Sequence, residues 1–229
     1  MKHVIITRGR GQWERQRTLK LLMDAGISPI LAANTMSDVP PGYGGEVLLL
    51  DVEGITPKRQ GVTDRFIDEK HVVYDDDLKF YKRMEGNFLP KTTPEQTREM
   101  VAMIEEKLDH HPLVGVAGRF FCRMYESPWK MNHNLARIFG LNLRAHYRSD
   151  ETLPTFRVPI GEDFDFNLQV IRDGFDVPLL SSFAADDYGR GSGGCQIYRT
   201  NEKQLAVYTD LIRKWPGIMT IGMRGEKRI

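Results

Sequence analysis

Short apolar runs alternate along this chain with longer segments in which apolar residues recur at helical spacing. Residues 4–6, 29–33, 47–50 and 71–74 are such runs, each bounded by polar residues or glycine. That is the pattern of strands buried within a sheet. Between them, residues 12–25 put Leu19, Leu22 and Met23 on one face and are followed by Gly26 at a C-cap position, which predicts a helix. Residues 37–45 are rich in proline and glycine and predict a loop. Thr56-Pro57 opens a second helix, with proline at its first position, running to about Phe66. The order strand, helix, strand, strand, helix, strand predicts a parallel α/β core.

The second half has a different texture. Thr93-Pro94-Glu95-Gln96 is a capping box for a helix reaching Leu108, with Val101, Ile104 and Leu108 on one face. Residues 113–116 predict a short strand, extended by 120–122. Residues 129–139 predict a helix ending at Gly140, and 143–147 and 155–158 predict strands. A helix over 162–172 is closed by Gly174, and residues 177–180 form a last core strand. The acid- and glycine-rich stretch 184–196 predicts a loop whose glycines suit a lid. A helix over 202–215 and a strand over 218–221 complete the order. No linker-like segment divides residues 1–229, so the expectation is one α/β domain with a mostly parallel central sheet flanked by helices.

Charge and cysteine content narrow the classes. Thirty-two basic against 31 acidic side chains give a formal charge of +1 over 229 residues, which argues against bulk polyanion binding but permits a local basic face. The two cysteines, Cys122 and Cys195, lack metal-ligand spacing, which fits a reducing cytoplasm better than a disulfide framework or a zinc site. The N-terminal apolar run is too short for a signal peptide, and no stretch approaches the roughly 20 apolar residues of a membrane helix. The expectation is a cytoplasmic protein with no membrane partner.

Candidate chemistry centres on His71-Val72-Val73-Tyr74-Asp75-Asp76-Asp77-Leu78. A buried strand delivers three carboxylates to its carboxyl end, where open α/β sheets bind ligands. Asp75 and Asp77, two apart, share a side if the chain stays extended, and so form a hard-oxygen site for Mg²⁺ or Mn²⁺. The plainer alternative is an acidic turn. Arg8 and Arg10, alternating with Gly9 and Gly11 before a helix, make a candidate anion pocket without a P-loop or dinucleotide fingerprint. Lys58-Arg59-Gln60 lies on the helix before the acidic strand. Glu162-Asp163-Phe164-Asp165 opens a helix, where carboxylates complement the helix dipole or serve as a general base. Between Arg119 and Trp129, arginines interleave with aromatics in a mixture that suits a nucleic-acid or sugar acceptor, although most of those rings are expected in the core. His133 and His146 read as structural.

Taken in order, Ile6-Thr7-Arg8, Lys58-Arg59-Gln60, Tyr74-Asp75-Asp76-Asp77 and Glu162-Asp163 resemble a GT-A-type glycosyltransferase over most of the chain. More narrowly, Gly161-Glu162-Asp163-Phe164-Asp165-Phe166-Asn167 and the stretch ending Gly193-Gly194-Cys195 are similar to the TET-associated glycosyltransferases of phages, which sugar-modify 5-hydroxymethylcytosine in DNA. The resemblance implies a GT-A-like (Rossmann-like) fold, a UDP-sugar donor and a DNA acceptor. It implies Mn²⁺ or Mg²⁺ on Asp75 and Asp77, and donor contacts from Thr7, Arg8, Arg10, Lys58, Arg59, Gln60, Asp75 and Asp76. Asp163, with Glu162 as the other candidate, is implied as the base if the reaction inverts configuration. Residues 1–78 become the nucleotide-sugar half and 79–229 the acceptor half, in a host cytoplasm if the chain is phage-encoded. The late histidine metal ligand of the superfamily has no clear counterpart; Asp186 or Asp187 is the substitute. Competing readings are a glycosyltransferase with another acceptor, a sugar nucleotidyltransferase, or a non-catalytic DNA-binding module. A nucleotidyltransferase is expected to carry a glycine-rich nucleotide loop with a lysine nearby, and no such sequence motif is present.

Overall fold

The structure, a computed structural model, describes residues 1–124, 126–133, 135–187, 201–219, 223–224 and 227–228. In chain order the elements are β1 (Lys2–Ile6), α1 (Arg17–Asp24), β2 (Ile30–Ala33), β3 (Val47–Leu49), α2 (Ile55–Arg65), β4 (His71–Asp75) and β5 (Leu78–Lys82). There follow α3 (Pro94–Lys107), β6 (Leu113–Gly118), α4 (Arg119–Cys122), β7 (Trp129–Met131), β8 (Ile138–Leu141) and α5 (Leu143–His146). The last are α6 (Glu162–Arg172), β9 (Pro178–Asp187), α7 (Asn201–Lys214) and a small hairpin of β10 (Met223–Arg224) and β11 (Lys227–Arg228).

One nine-stranded sheet runs β3-β2-β1-β4-β8-β6-β9-β5, with β7 also on β9. Strands β1, β2, β3, β4, β6 and β9 run in one direction, and β5, β7 and β8 run against them. The expected mixed α/β sheet, mostly parallel and flanked by helices, is therefore what the chain forms. Side chains alternate along the strands and divide the core between the two faces. Val4, Ile6 and Val73 pack with Val62, Phe66, Phe166 and Val170 of α2 and α6. Ile5, Val72 and Tyr74 pack with Leu19, Leu22, Met100 and Ile104 of α1 and α3. The chain winds outward from β1 through β2 to β3 and then returns to β4 on the other side of β1. The strand order reverses there, and the crevice at the carboxyl ends of β1 and β4 is the switch point where such sheets bind ligands.

The helix caps follow the sequence pattern. Thr93 Oγ1 accepts from the Gln96 N–H at 3.3 Å, and the Gln96 side chain accepts from the Thr93 N–H at 3.0 Å, closing the capping box. Gly26 and Gly174 take left-handed φ values of 74° and 91° after α1 and α6, as glycines past a helix end do.

Other expectations are corrected. The helix over 12–25 is a 3₁₀ turn at Trp13–Arg15 followed by a shorter α1, and Met23 points to solvent. The described residues of 129–139 are not helical. They hold β7 and lead into β8, and Gly140 lies inside β8, at a position where an added Cβ would meet Ile104 Cγ2 at 2.9 Å. Residues 120–122 turn into α4 instead of extending the strand. Residues 143–146 are helical, tied down where Asn142 Nδ2 donates to the Leu108 carbonyl at 2.8 Å. Residues 155–158 form no strand. The N–H groups of Thr155 and Phe156 donate to the side-chain oxygens of Gln169 and Gln60, at 3.1 and 2.7 Å, in place of a neighbouring strand. β5 was not expected, and β9 runs on through Asp187, into the predicted loop. The rest of that loop, including Gly193-Gly194-Cys195, lies outside the described residues, as does the end of the strand expected over 218–221.

Candidate active site

Four segments meet at the β1/β4 crevice. The first is the loop after β1. Thr7 is buried, and its hydroxyl donates to Asp76 Oδ2 at 2.7 Å. Gly9 has φ +66°, and its N–H donates to Asp38 Oδ1 at 2.6 Å, so that amide is spent inside the protein and is not presented to an anion. Gly11 lies against the Ser37 carbonyl, where any Cβ would collide. The loop is thus strapped to residues 34–38: Asp38 also accepts from the Asn34 N–H at 3.2 Å, and buried Gln16 donates to Thr7 Oγ1 at 3.0 Å and the Arg10 carbonyl at 2.8 Å. Asp38, Gln16 and Asn34 were not singled out from sequence; only their spatial convergence marks them. Arg8 stands exposed at the rim.

The second segment is the acidic turn. β4 ends at Asp75, and Asp76-Asp77 form a tight turn into β5, so the same-side rule for an extended chain does not reach Asp77. The N-terminus of α1 pins this turn. The Thr18 N–H donates to the Asp76 carbonyl at 3.1 Å, and the Thr18 hydroxyl donates to the Asp75 carbonyl at 2.6 Å. Asp75 Oδ1 pairs with Arg59 at 2.9 Å and Asp77 Oδ2 with Arg10 at 2.9 Å. Asp76 is buried between Thr7 and Arg10, whose Nη1 donates to Asp76 Oδ1 at 2.5 Å. Burial outweighs the nearby guanidinium and pushes the Asp76 carboxyl up to about 7.

The third segment is α2. Arg59 is buried and bridges two acids far apart in sequence, donating to Asp75 and, at 2.6 Å, to Glu162 Oε1. Its guanidinium lies 4.5 Å over the Phe139 ring. Burial opposes the charge, but Asp75, Glu162 and Asp163 override it and hold Arg59 firmly protonated. Lys58 is also buried. Its ammonium donates to the Thr7 carbonyl at 2.7 Å and to the Asn34 side chain, and burial lowers its pKa to about 8. Gln60 is turned away: its side chain serves the Phe156 N–H and Asp64, both at 2.7 Å.

The fourth segment is the start of α6. Glu162 is buried on Arg59, whereas Asp163 is partly exposed and accepts from the Phe164 N–H at 3.0 Å. The structure therefore brings Thr7, Arg10, Lys58, Arg59, Asp75, Asp76, Asp77, Glu162 and Asp163 to one crevice and leaves Gln60 outside it. Beyond β8, Asp187 of β9 pairs with Arg137 at 3.0 Å, and Arg137 in turn accepts the Asp75 N–H on its carbonyl at 3.1 Å.

Carboxylate oxygens have the hardness that Mg²⁺ and Mn²⁺ prefer. Side-chain exposures of 28% and 24% leave Asp75 and Asp77 reachable, and their described ion pairs use only Oδ1 of the first and Oδ2 of the second. Among the described residues no cluster of three or more His, Cys, Asp or Glu is arranged to hold a metal. Two carboxylates are fewer donors than a divalent ion takes, so ligand phosphate and water would have to complete its shell. Asp186 and Asp187 belong to no such cluster. No helix among the described residues is long and apolar enough to cross a membrane.

What the fold and crevice define is a mixed α/β protein with an acid turn, buttressed by arginines, at the switch point of its sheet. No protein-family model matches the chain. No curated protein matches it either. Among solved structures it is similar to CMP:2-keto-3-deoxy-manno-octonic acid synthetase complexed with CTP, with 13% identity, a TM-score of 0.42, and coverage of 78% of this chain and 88% of that one. A likeness that loose carries neither activity nor site residues across.

Proposed function

We propose that this chain is a metal-dependent glycosyltransferase that moves a sugar from a UDP-sugar to the hydroxymethyl group of 5-hydroxymethylcytosine in DNA. The observation that carries the reading is the Asp75–Arg59–Glu162 bridge. One buried guanidinium ties the acid at the exit of β4 to the acid that opens α6, which supports a reading in which a donor diphosphate and a base on α6 would share one crevice. Residues 1–78 hold the donor and residues 79–229 receive the acceptor. Asp75 and Asp77 hold a Mn²⁺ or Mg²⁺ ion. When bound, that ion supplies charge stabilisation to the departing diphosphate. Arg8 at the rim and Arg10 beside Asp77 contact the phosphates. Glu162 and Arg59 position Asp75 and do not touch substrate. In an inverting transfer Asp163 takes the acceptor hydroxyl proton as the new C–O bond forms and the bond from sugar to diphosphate breaks, releasing UDP. A base inside a duplex hides that hydroxyl, so the acceptor nucleotide is single-stranded or flipped out.

The test is incubation with hydroxymethylated DNA, UDP-sugars and Mn²⁺, followed by mass analysis of the nucleosides. A hexose-sized shift on 5-hydroxymethylcytosine is expected; no shift with any common UDP-sugar removes the DNA part of the reading. One observation favours a second reading. Lys58 reaches the loop after β1 in space, although no lysine stands in that loop's sequence, and a lysine beside a glycine-containing nucleotide loop suits a sugar nucleotidyltransferase. Pyrophosphate release from UTP and a sugar phosphate would select it.

A further inference from the structure

An exposed aromatic stands at the carboxyl end of β6, on the same sheet edge as the acid turn. Phe120 is 74% exposed, unusual for a phenylalanine, and follows Gly118 and Arg119 where β6 gives way to α4. Residues on either side of it in sequence reach toward the crevice. A Cβ added at Gly118 would lie 3.6 Å from Arg137 Nη1, and Arg137 holds both the Asp75 N–H and the Asp187 carboxylate. On the other side, Phe120 packs edge-on against Phe121 at 5.5 Å, and Phe121 against His133 at 5.0 Å. The His133 carbonyl accepts from Asn167 Nδ2 at 3.2 Å. Asn167 lies four residues along α6 from Asp163, on the same side of that helix.

Phe121 is the one described aromatic in contact with Phe120, and the contact is near-perpendicular, so no described aromatic lies stacked parallel on the Phe120 ring. Arg119 and Arg123, both exposed, flank it in sequence, and Arg119 is itself held 4.6 Å over the Tyr81 ring. A solvated aromatic with an exposed arginine on either side of it in sequence has the chemistry of a nucleobase platform: the ring stacks on a base and a guanidinium meets its phosphate. We infer that Phe120 is the acceptor-side stacking residue, which receives a nucleobase of a single-stranded or flipped-out DNA segment at the carboxyl end of β6. This inference rests on the DNA-acceptor reading above and assigns its acceptor subsite.

The experiment measures binding of a fluorescent single-stranded oligonucleotide carrying 5-hydroxymethylcytosine to the full chain, by anisotropy, for wild type, Phe120→Ala and Phe120→Trp. UDP–Mn²⁺ affinity is followed by calorimetry on the same samples. Loss of one stacked base predicts about 5- to 100-fold weaker oligonucleotide binding in Phe120→Ala. Phe120→Trp should keep wild-type affinity or exceed it, with UDP–Mn²⁺ binding the same in all three. Equal oligonucleotide affinity in wild type and Phe120→Ala overturns the inference. So does a wild type that binds UDP–Mn²⁺ but no oligonucleotide, an outcome that leaves the donor half of the proposed function standing. A wild type that binds oligonucleotide but no UDP–Mn²⁺ overturns the donor reading instead, and the platform is then judged by the Phe120 variants alone.

Discussion

Two acidic runs, Asp75-Asp76-Asp77 after β4 and Glu162-Asp163-Phe164-Asp165 at the start of α6, look alike in sequence and meet opposite fates. In the first, the middle acid is buried and the outer two face the crevice. In the second, the outer acids are buried and only Asp163 is partly open. Backbone geometry explains the difference. Residues three apart on a helix share a face, so Glu162 and Asp165 both turn inward and Asp163 falls off that face. A tight turn after a strand instead throws its flanking residues outward. The partners differ as well. Asp165, with no exposed surface, accepts from Arg157, Gln169 and the Trp215 indole at 2.8 to 3.1 Å. Asp76 has Thr7 and Arg10, yet burial still raises its pKa. One buried acid serves architecture; the other leaves unfavourable charge stored beside a ligand crevice.

The largest effect expected from breaking this contrast is catalytic. Asp163→Asn should lower transfer by about 10²- to 10⁴-fold while UDP–Mn²⁺ affinity is unchanged. Equal losses in turnover and affinity would make Asp163 a binding residue. Next is the bridge between the runs. Arg59→Met leaves Glu162 buried without its cation and should cost about 3–5 kcal/mol in urea unfolding. Arg59→Lys should recover little, because an ammonium does not span two carboxylates as a planar fork does.

Asp165→Asn keeps the shape but weakens its bonds to Arg157 and Trp215. It should cost about 1–3 kcal/mol, with a change in tryptophan fluorescence and no change in UDP affinity. The smallest effect is a pH slope. Asp76 has a folded pKa of about 7 against an ordinary 3.8, so between those values the folded chain keeps a proton that the unfolded chain has released. This group's contribution to stability is therefore present below about pH 4 and falls away as pH rises through 7. In chelator-treated protein, Asp76→Asn should flatten that decline by on the order of 1 kcal/mol per pH unit. A steeper decline in the variant would reverse the assigned sign.

Much of the parallel half was readable because β1, β2 and β4 bury continuous apolar runs and α1 buries Leu19 and Leu22 on one face, whereas β3 at the sheet edge is only half-buried and α2 turns Thr56, Lys58, Arg59, Val62 and Thr63 inward. The box at Thr93 and the glycines after α1 and α6 are local signals that tertiary context did not override. The segment from Phe120 to Val158 was misread for a physical reason. Its backbone groups are satisfied by partners no local window contains: β7 pairs with β9, β8 with β4 and β6, and the N–H groups of Thr155 and Phe156 donate to the side chains of Gln169 and Gln60. β5 was missed because Asp75-Asp76-Asp77 was read as a strand exit, and its partner β9 lies about a hundred residues later. The acids and arginines of the crevice were legible by type and order. Their pairing was not, because Arg59 reaches across 103 positions to Glu162. Nor did any motif mark Asp38 or Gln16, which brace the loop after β1.

The central claim is that Asp75 and Asp77 grip a divalent ion that holds the donor by its diphosphate. Calorimetric titration of UDP into wild type and Asp77→Ala, each with Mn²⁺ and with chelator, tests it most directly. The account predicts binding to wild type only when Mn²⁺ is present, and no binding to folded Asp77→Ala under either condition. UDP binding to wild type in chelator, or unchanged Mn²⁺-dependent binding to Asp77→Ala, would contradict it.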